Sequence, residues 1–193
     1  MPIKSDRWIT DQSEKGMIKP FAKKQVKEIE LPEGTIRRVI SFGVSSYGYD
    51  MRLGNMFRVL RANQSGELDP KNVQAGHFQT VQADNYLLLP PQGLALAQTL
   101  EYFTIPRGVL TICYGKSTYA RCGVLVNVTP FEPEWEGHAT IAISNMSALP
   151  VRIYANEGIA QLIFLESDEI CNTSYKDKGG KYQAQKEPTP ARV

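Results

Sequence analysis

Along most of this chain short runs of apolar and β-branched positions recur between polar, turn-forming ones, the mark of β-strands. The pattern runs through TIRRVISF (35–42), MFRVLRA (56–62), NYLLLP (85–90), GLALAQTLEYF (93–103) and GVLTICYG (108–115). It continues in GVLVNVTP (123–130), HATIAISN (138–145), PVRIYAN (150–156) and AQLIFLES (160–167). These stretches are rich in β-branched and apolar residues, and Gly, Pro, Asn or Asp separates them at short intervals. Many short strands at such spacing predict a mainly β fold, a distorted barrel or jelly-roll. In HATIAISN, Thr140, Ala142 and Ser144 fall on one face, and Ile141 and Ile143 on the other. Three segments break the pattern. Ser5 followed by Asp6, Trp8 and Ile9, with Gly16 as a stop, predicts a short helix over 5–15. KSTYARCG (116–123) has no alternation and suits one or two helical turns between strands. The polar stretch from Tyr175, with Gly179, Gly180, Pro188 and Pro190, has the composition of a mobile tail. IKPF reads as an extended lead-in, because Pro20 disfavours helix at Lys19. No internal repeat is present, and 1–193 reads as a single domain.

Composition changes this picture mainly by exclusion. A net charge of +2 argues against a general nucleic-acid binder, yet leaves room for a small anionic ligand. No apolar run approaches the roughly 18 residues of a membrane span. The opening MPIKSDRWIT carries no apolar stretch of signal type. Cys113, Cys122 and Cys171 are odd in number and lack CxxC spacing, so neither a disulfide framework nor a zinc site is expected. A cytoplasmic setting is the plain expectation.

The candidate chemistry gathers in two segments. GKSTYAR (115–121) holds a lysine, two hydroxyls and an arginine between apolar strands. On a helical turn Ser117 and Arg121 share a face at i, i+4. Free N–H groups at the turn's start and the charges of Lys116 and Arg121 favour phosphate. The alternative is a capped turn with solvated Lys and Arg. A Walker A loop is excluded, since position 110 holds Leu110 where that motif needs glycine. In SYKDKGGKYQAQ (174–185), Tyr175, Lys181, Tyr182 and Gln185 suit either a lid over a bound anion or a disordered end. His77 and His138 lie far apart and near no ligand-like cysteine. Glu132, Glu134 and Glu136 make a solvated acidic loop or, alternatively, an acceptor for a sugar hydroxyl.

The stretch GKSTYARCGVLVNVTPFEPEWEGHATIAISN (115–145) resembles the signature region of dCTP deaminases. The resemblance extends through VRIYANEGIAQLIF (151–164), SYKDKGGKYQAQ (174–185), SSYGYDMRLG (45–54) and IKSDRWI (3–9). It implies a subunit related to trimeric dUTPases, assembled as a homotrimer with sites shared between copies. It implies hydrolytic loss of the cytosine 4-amino group of dCTP, giving dUTP and ammonia. No zinc acts on the base, and magnesium rides on the triphosphate. By resemblance the nucleotide motif falls on Lys116, Ser117, Thr118, Tyr119, Ala120 and Arg121. Ser117 orients the attacking water, and Arg121 places charge near the reacting centre. Thr140 and Ile141 line the base, and Glu132 sits near the deoxyribose. Gln161, Tyr175, Lys181 and Gln185 grip the triphosphate and close the tail over it. Feedback inhibition by dTTP is a further property of the family.

One position departs from the resemblance. The family's catalytic glutamate falls on Ala142. Acid–base catalysis is worth about 10²–10⁴-fold, and a methyl group carries no proton. The chain is therefore expected to bind nucleotide and deaminate very poorly. The alanine is either an engineered replacement or the native residue of a variant that acts as a dUTP pyrophosphatase or nucleotide-binding regulator. A purely structural β-barrel protein is the reading from another class, and calorimetry with dCTP and dUTP separates it.

Overall fold

The structure is a computed structural model that describes residues 2–61 and 67–192. The first element is helix α1 (Asp6–Glu14), with Ser5 at its N-cap in extended conformation and Asp6 in its first turn. It stops at Gly16, which takes a φ of 103°. Ile9 is fully buried, and Trp8 packs on Phe164 with ring centroids 6.0 Å apart.

Strands follow. β1 (Ile18–Lys19) is the extended lead-in that Pro20 predicts, and the Lys19–Pro20 peptide is cis. β2 (Val26–Glu30) and β3 (Ile36–Ser45) form a hairpin, and β4 (Gly48–Leu60) returns beside β3. Then come β5 (Phe78–Gln82), β6 (Tyr86–Leu89), β7 (Leu94–Thr104) and β8 (Val109–Gly115). The short helix α2 (Ser117–Ala120) occupies the segment predicted to turn helically. β9 (Val124–Asn127), β10 (Glu136–Asn145), β11 (Val151–Tyr154) and β12 (Gly158–Glu166) complete the order.

The main sheet runs β2-β3-β4-β7-β10-β9, all neighbours antiparallel. β12 bridges β4 and β8, and β6 with β11 makes a separate two-stranded sheet. The sheet wraps one core without closing. Among the described residues β9 is hydrogen-bonded to β10 alone and lies against β8, where a Cβ on Gly115 would come 2.9 Å from Val126. Alternation in β7 and β10 is strict, so every second residue enters the core. Tyr49, Met51, Phe57, Phe103, Ile141 and Phe164 are its fully buried bulk.

A polar cluster is built into this core. Glu101, fully buried, accepts from the Tyr49 hydroxyl at 3.1 Å, from Arg52 Nε at 2.7 Å and from the Arg52 amide at 2.9 Å. Burial pushes its carboxyl up, and Arg52 opposes that. His138 Nδ1 faces the carbonyl oxygens of Thr99 and Glu101 at 3.0 and 3.1 Å. Both are acceptors, so this nitrogen carries the proton and the histidine is a structural donor. Among the described residues no helix is long and apolar enough to cross a membrane.

The tail departs from its composition. It folds back on the sheet: Tyr175 N–H donates to the Pro133 carbonyl, Ala184 N–H to Glu136 and His138 N–H to Gln185. The expectation of a mobile tail is corrected by these backbone hydrogen bonds, which composition does not register.

Candidate active site

The floor of a mainly apolar cavity is made by β9 and β10, paired so that Asn127 stands directly opposite Ala142. The even-numbered face of β10 supplies Thr140 and Ala142, as the alternation predicted. The loop 128–135 forms one wall, stiffened by Phe131 packed at a tilt against Trp135, ring centroids 4.6 Å apart. The tail forms the other wall through Tyr175, Lys181, Tyr182 and Gln185. The space enclosed is about 800 Å³.

Several contacts hold the tail there. At the rim, Trp135 Nε1 donates to the Tyr182 carbonyl at 2.9 Å, and the Tyr182 amide donates to the Tyr175 hydroxyl at 3.0 Å. On the floor, the Thr140 hydroxyl donates to Gln185 Oε1 at 2.7 Å and accepts from the Thr189 amide at 3.0 Å. Between them Gly137, at φ 143°, lets the tail cross β10; a Cβ there would lie 2.8 Å from the Gln185 nitrogen. At the tail's root, Arg107 reaches Glu134 at 2.6 Å, Asp177 at 2.8 Å and the Asn172 carbonyl at 3.1 Å. The Ser174 amide and then the Arg107 guanidinium hold the Asp177 carboxyl below its ordinary range. The Ser174 hydroxyl and then Arg107 do the same for Glu134. Glu132 pairs with Lys178 at the cavity edge.

The structure brings Glu132, Thr140, Ala142, Tyr175, Lys181 and Gln185 together around this cavity. It does not bring the 116–121 segment or Gln161 to it. Lys116 instead makes a buried ion pair with Asp50 at 2.6 Å, and Gln25 Nε2 donates to the same Asp50 oxygen at 2.9 Å. Gln161 sits opposite Asp50 in the β12–β4 register and donates to the Ser45 hydroxyl at 3.1 Å. Ser117, Thr118, Ala120 and Arg121 are exposed beside this second cluster. Two side chains do not offer themselves to a ligand. Ile141 is fully buried on the core face of β10, and the alternation that puts Thr140 on the floor sends it there. Tyr119 is buried, its hydroxyl accepting the Tyr154 amide at 2.9 Å; burial raises its pKa. Sequence reading missed Asn127, Trp135 and Thr189. Asn127 faces Ala142 only through strand register, and Thr189 through the tail's path. The one available hint was Trp135, a large aromatic in a polar, acidic loop. No group of three or more His, Cys, Asp and Glu side chains able to hold a metal ion occurs among the described residues.

Comparison with known proteins gives a consistent picture. Residues 3–167 match the family described as dCTP deaminase-like. The chain is 58% identical over 194 residues to a dCTP deaminase of Pseudomonas putida strain W619, covering all of both chains. It is 57% identical to one from Acinetobacter baumannii strain AYE, covering 96% of each. Among solved structures, the crystal structure of 2'-deoxycytidine 5'-triphosphate deaminase from Agrobacterium tumefaciens shares the fold at a TM-score of 0.58 and 15% identity. That match covers 84% of this chain and 47% of the Agrobacterium chain.

Proposed function

This chain belongs to the dCTP deaminase-like family, and on that footing we propose that it binds a deoxycytidine or deoxyuridine triphosphate in the cavity over β9 and β10, with the deamination step disabled at Ala142. The reaction of the proposed lineage replaces the 4-amino group of dCTP by oxygen from water, giving dUTP and ammonia. Water must lose a proton as it attacks C4, and the departing nitrogen must gain one. A carboxylate in hydrogen-bond reach does both. Here Ala142 projects a methyl from the floor, with the Asn127 amide opposite. An amide orients a base edge but does not shuttle protons. The single carboxylate among the lining residues is Glu132, which is paired with Lys178. This absence of a free proton carrier on the cavity floor is the observation that carries the proposal.

In this reading Thr140 meets the base and Glu132 the deoxyribose. Tyr175, Lys181 and Gln185 close over the phosphates. Ser117 and Arg121, with Lys116, Thr118 and Gln161 nearby, serve the cavity of a neighbouring copy in a homotrimer. The exposure of Ser117 and Arg121 away from the chain's own cavity supports that division. Magnesium, when bound, screens the triphosphate charge. The described side chains form no cage for it, and Asp50 is already engaged by Lys116 and Gln25.

The test is calorimetry with dCTP and dUTP in magnesium, alongside an ammonia-release assay. Both nucleotides should bind, ammonia should stay at background, and Ala142→Glu should raise release by about 10²-fold or more. Rapid release from the unaltered chain, or a folded Ala142→Glu variant that binds dCTP and stays inert, overturns the reading. A pyrophosphatase alternative needs a base for water at the phosphates. With Asp50 tied to Lys116, dUMP should not form from dUTP.

A further inference from the structure

A second cavity, of about 840 Å³, shares no lining residue with the first. Its walls are the β2–β3 hairpin, the β6–β11 sheet and Thr118 of α2. Four cationic side chains line it, Lys27, Arg37, Arg38 and Arg152, against the two acids Glu28 and Glu157. The acids are committed. Glu157 is 4% exposed, accepts the Ile40 amide at 2.7 Å and faces Arg37 at 3.5 Å. Glu28 lies 3.6 Å from Arg38. Lys27 and Arg152 meet no carboxylate among the described residues, so the lining keeps a positive excess.

Two details favour an anion there over a merely solvated surface. Arg37 Nε is sealed from solvent with no hydrogen-bond partner, although Nη1 of the same guanidinium donates to Asn85 at 3.2 Å. An orphaned donor is costly, and the partly exposed Arg37 side chain can turn it toward an anion in the cavity. Arg152 lies over the Tyr86 ring at 4.6 Å, and Tyr154 packs edge-on to that ring at 5.8 Å. Stacking covers one guanidinium face, Tyr154 engages part of the N–H edge, and the remaining N–H groups suit phosphate oxygens. We infer that this cavity is a second anion site, distinct from the chain's own nucleotide cavity and sharing only Thr118 with the segment proposed to serve a neighbouring copy, that takes a phosphorylated small molecule with at least two phosphate groups. Inorganic polyphosphate and a nucleotide share that chemistry. Tyr86 and Tyr154 line the cavity, so an aromatic contact is open to the nucleotide alone.

Titrating inorganic tripolyphosphate into the full chain by calorimetry tests this. Lys27→Ala/Arg152→Ala alters two exposed side chains and should weaken tripolyphosphate binding by about tenfold or more, leaving dCTP affinity unchanged. Lys181→Ala should do the reverse, weakening dCTP and sparing this site. ATP binding tighter than tripolyphosphate, with the gain lost in Tyr86→Leu, identifies a nucleotide; equal binding identifies a simple polyphosphate. The inference is overturned if, in a Lys181→Ala background that removes phosphate binding in the nucleotide cavity, tripolyphosphate binding survives Lys27→Ala/Arg152→Ala. It is equally overturned if the folded Lys27→Ala/Arg152→Ala variant, with Lys181 intact, loses dCTP and tripolyphosphate together, since one site then accounts for both.

Discussion

Single side chains set the chemistry here, and the most constrained is Lys116. Its ammonium and the Asp50 carboxylate are 12% and 7% exposed, so each depends on the other for the solvation it lost. Removing one partner strands a buried charge, which costs about 3–5 kcal/mol. Lys116→Met should lower unfolding free energy by about 3 kcal/mol in urea titrations, with Gln25 softening the loss by its hydrogen bond to Asp50. A drop of only a few tenths would mean the pair is solvated. The cysteines give a second contrast. Burial pushes the Cys113 thiol up to about 12, whereas Cys122 is exposed. Iodoacetamide at pH 8 should therefore modify Cys122 well before Cys113, as read by peptide mass spectrometry, because the thiolate is the nucleophile.

At the scale of elements, the tail is where local pattern and structure part company. Strands β7 and β10 were legible because each buries alternate residues against one core. β2 (VKEIE) and β5 (FQTVQ) were not, since their half-buried, polar sequences depend on a neighbour rather than on the core. The first half of β4 is buried on both faces, which erases alternation. Of the site, the face carrying Thr140 and Ala142 was legible from period two alone. The assembly of those residues with Tyr175, Lys181 and Gln185 came from resemblance. Neither route gives the Asn127–Ala142 register or the crossing at Gly137. Gly137→Ala would force a Cβ into the Gln185 amide at an unfavourable φ, and should free the tail. The clasp at the tail's root adds a pH dependence. Asp177 and Glu134 have folded pKa values below their ordinary 3.8 and 4.5, so docking is strongest above that range. It weakens as pH falls through the lowered values, where both sides become protonated and Arg107 loses its partners. Trp135, bonded to the tail through Tyr182, reports this. In a Trp8→Phe background its fluorescence should hold steady from pH 7 to 5 and shift red only as pH falls through the lowered carboxylate range. Arg107→Gln should bring the shift on at higher pH.

For the whole molecule, the decisive feature is that one chain carries two clusters that do not meet. The cavity with Ala142 has Lys181 in its wall, and Arg121 lies outside it among the exposed residues of α2's end. If copies assemble in a ring of heterologous contacts, as proposed, the cavity of each copy meets the Arg121 segment of the next. Arg121→Ala and Lys181→Ala should then each abolish tight dCTP binding when present in every chain. Co-refolding the two variants in equal amounts should restore about a quarter of the sites: a competent site needs its cavity from an Arg121→Ala chain and its neighbour from a Lys181→Ala chain, each with a chance of one half. Calorimetry with dCTP measures that fraction directly, and sedimentation gives the assembly's mass in the same sample. If each chain binds with its own residues alone, mixing restores nothing. The exposed position of Arg121 would then need a different explanation.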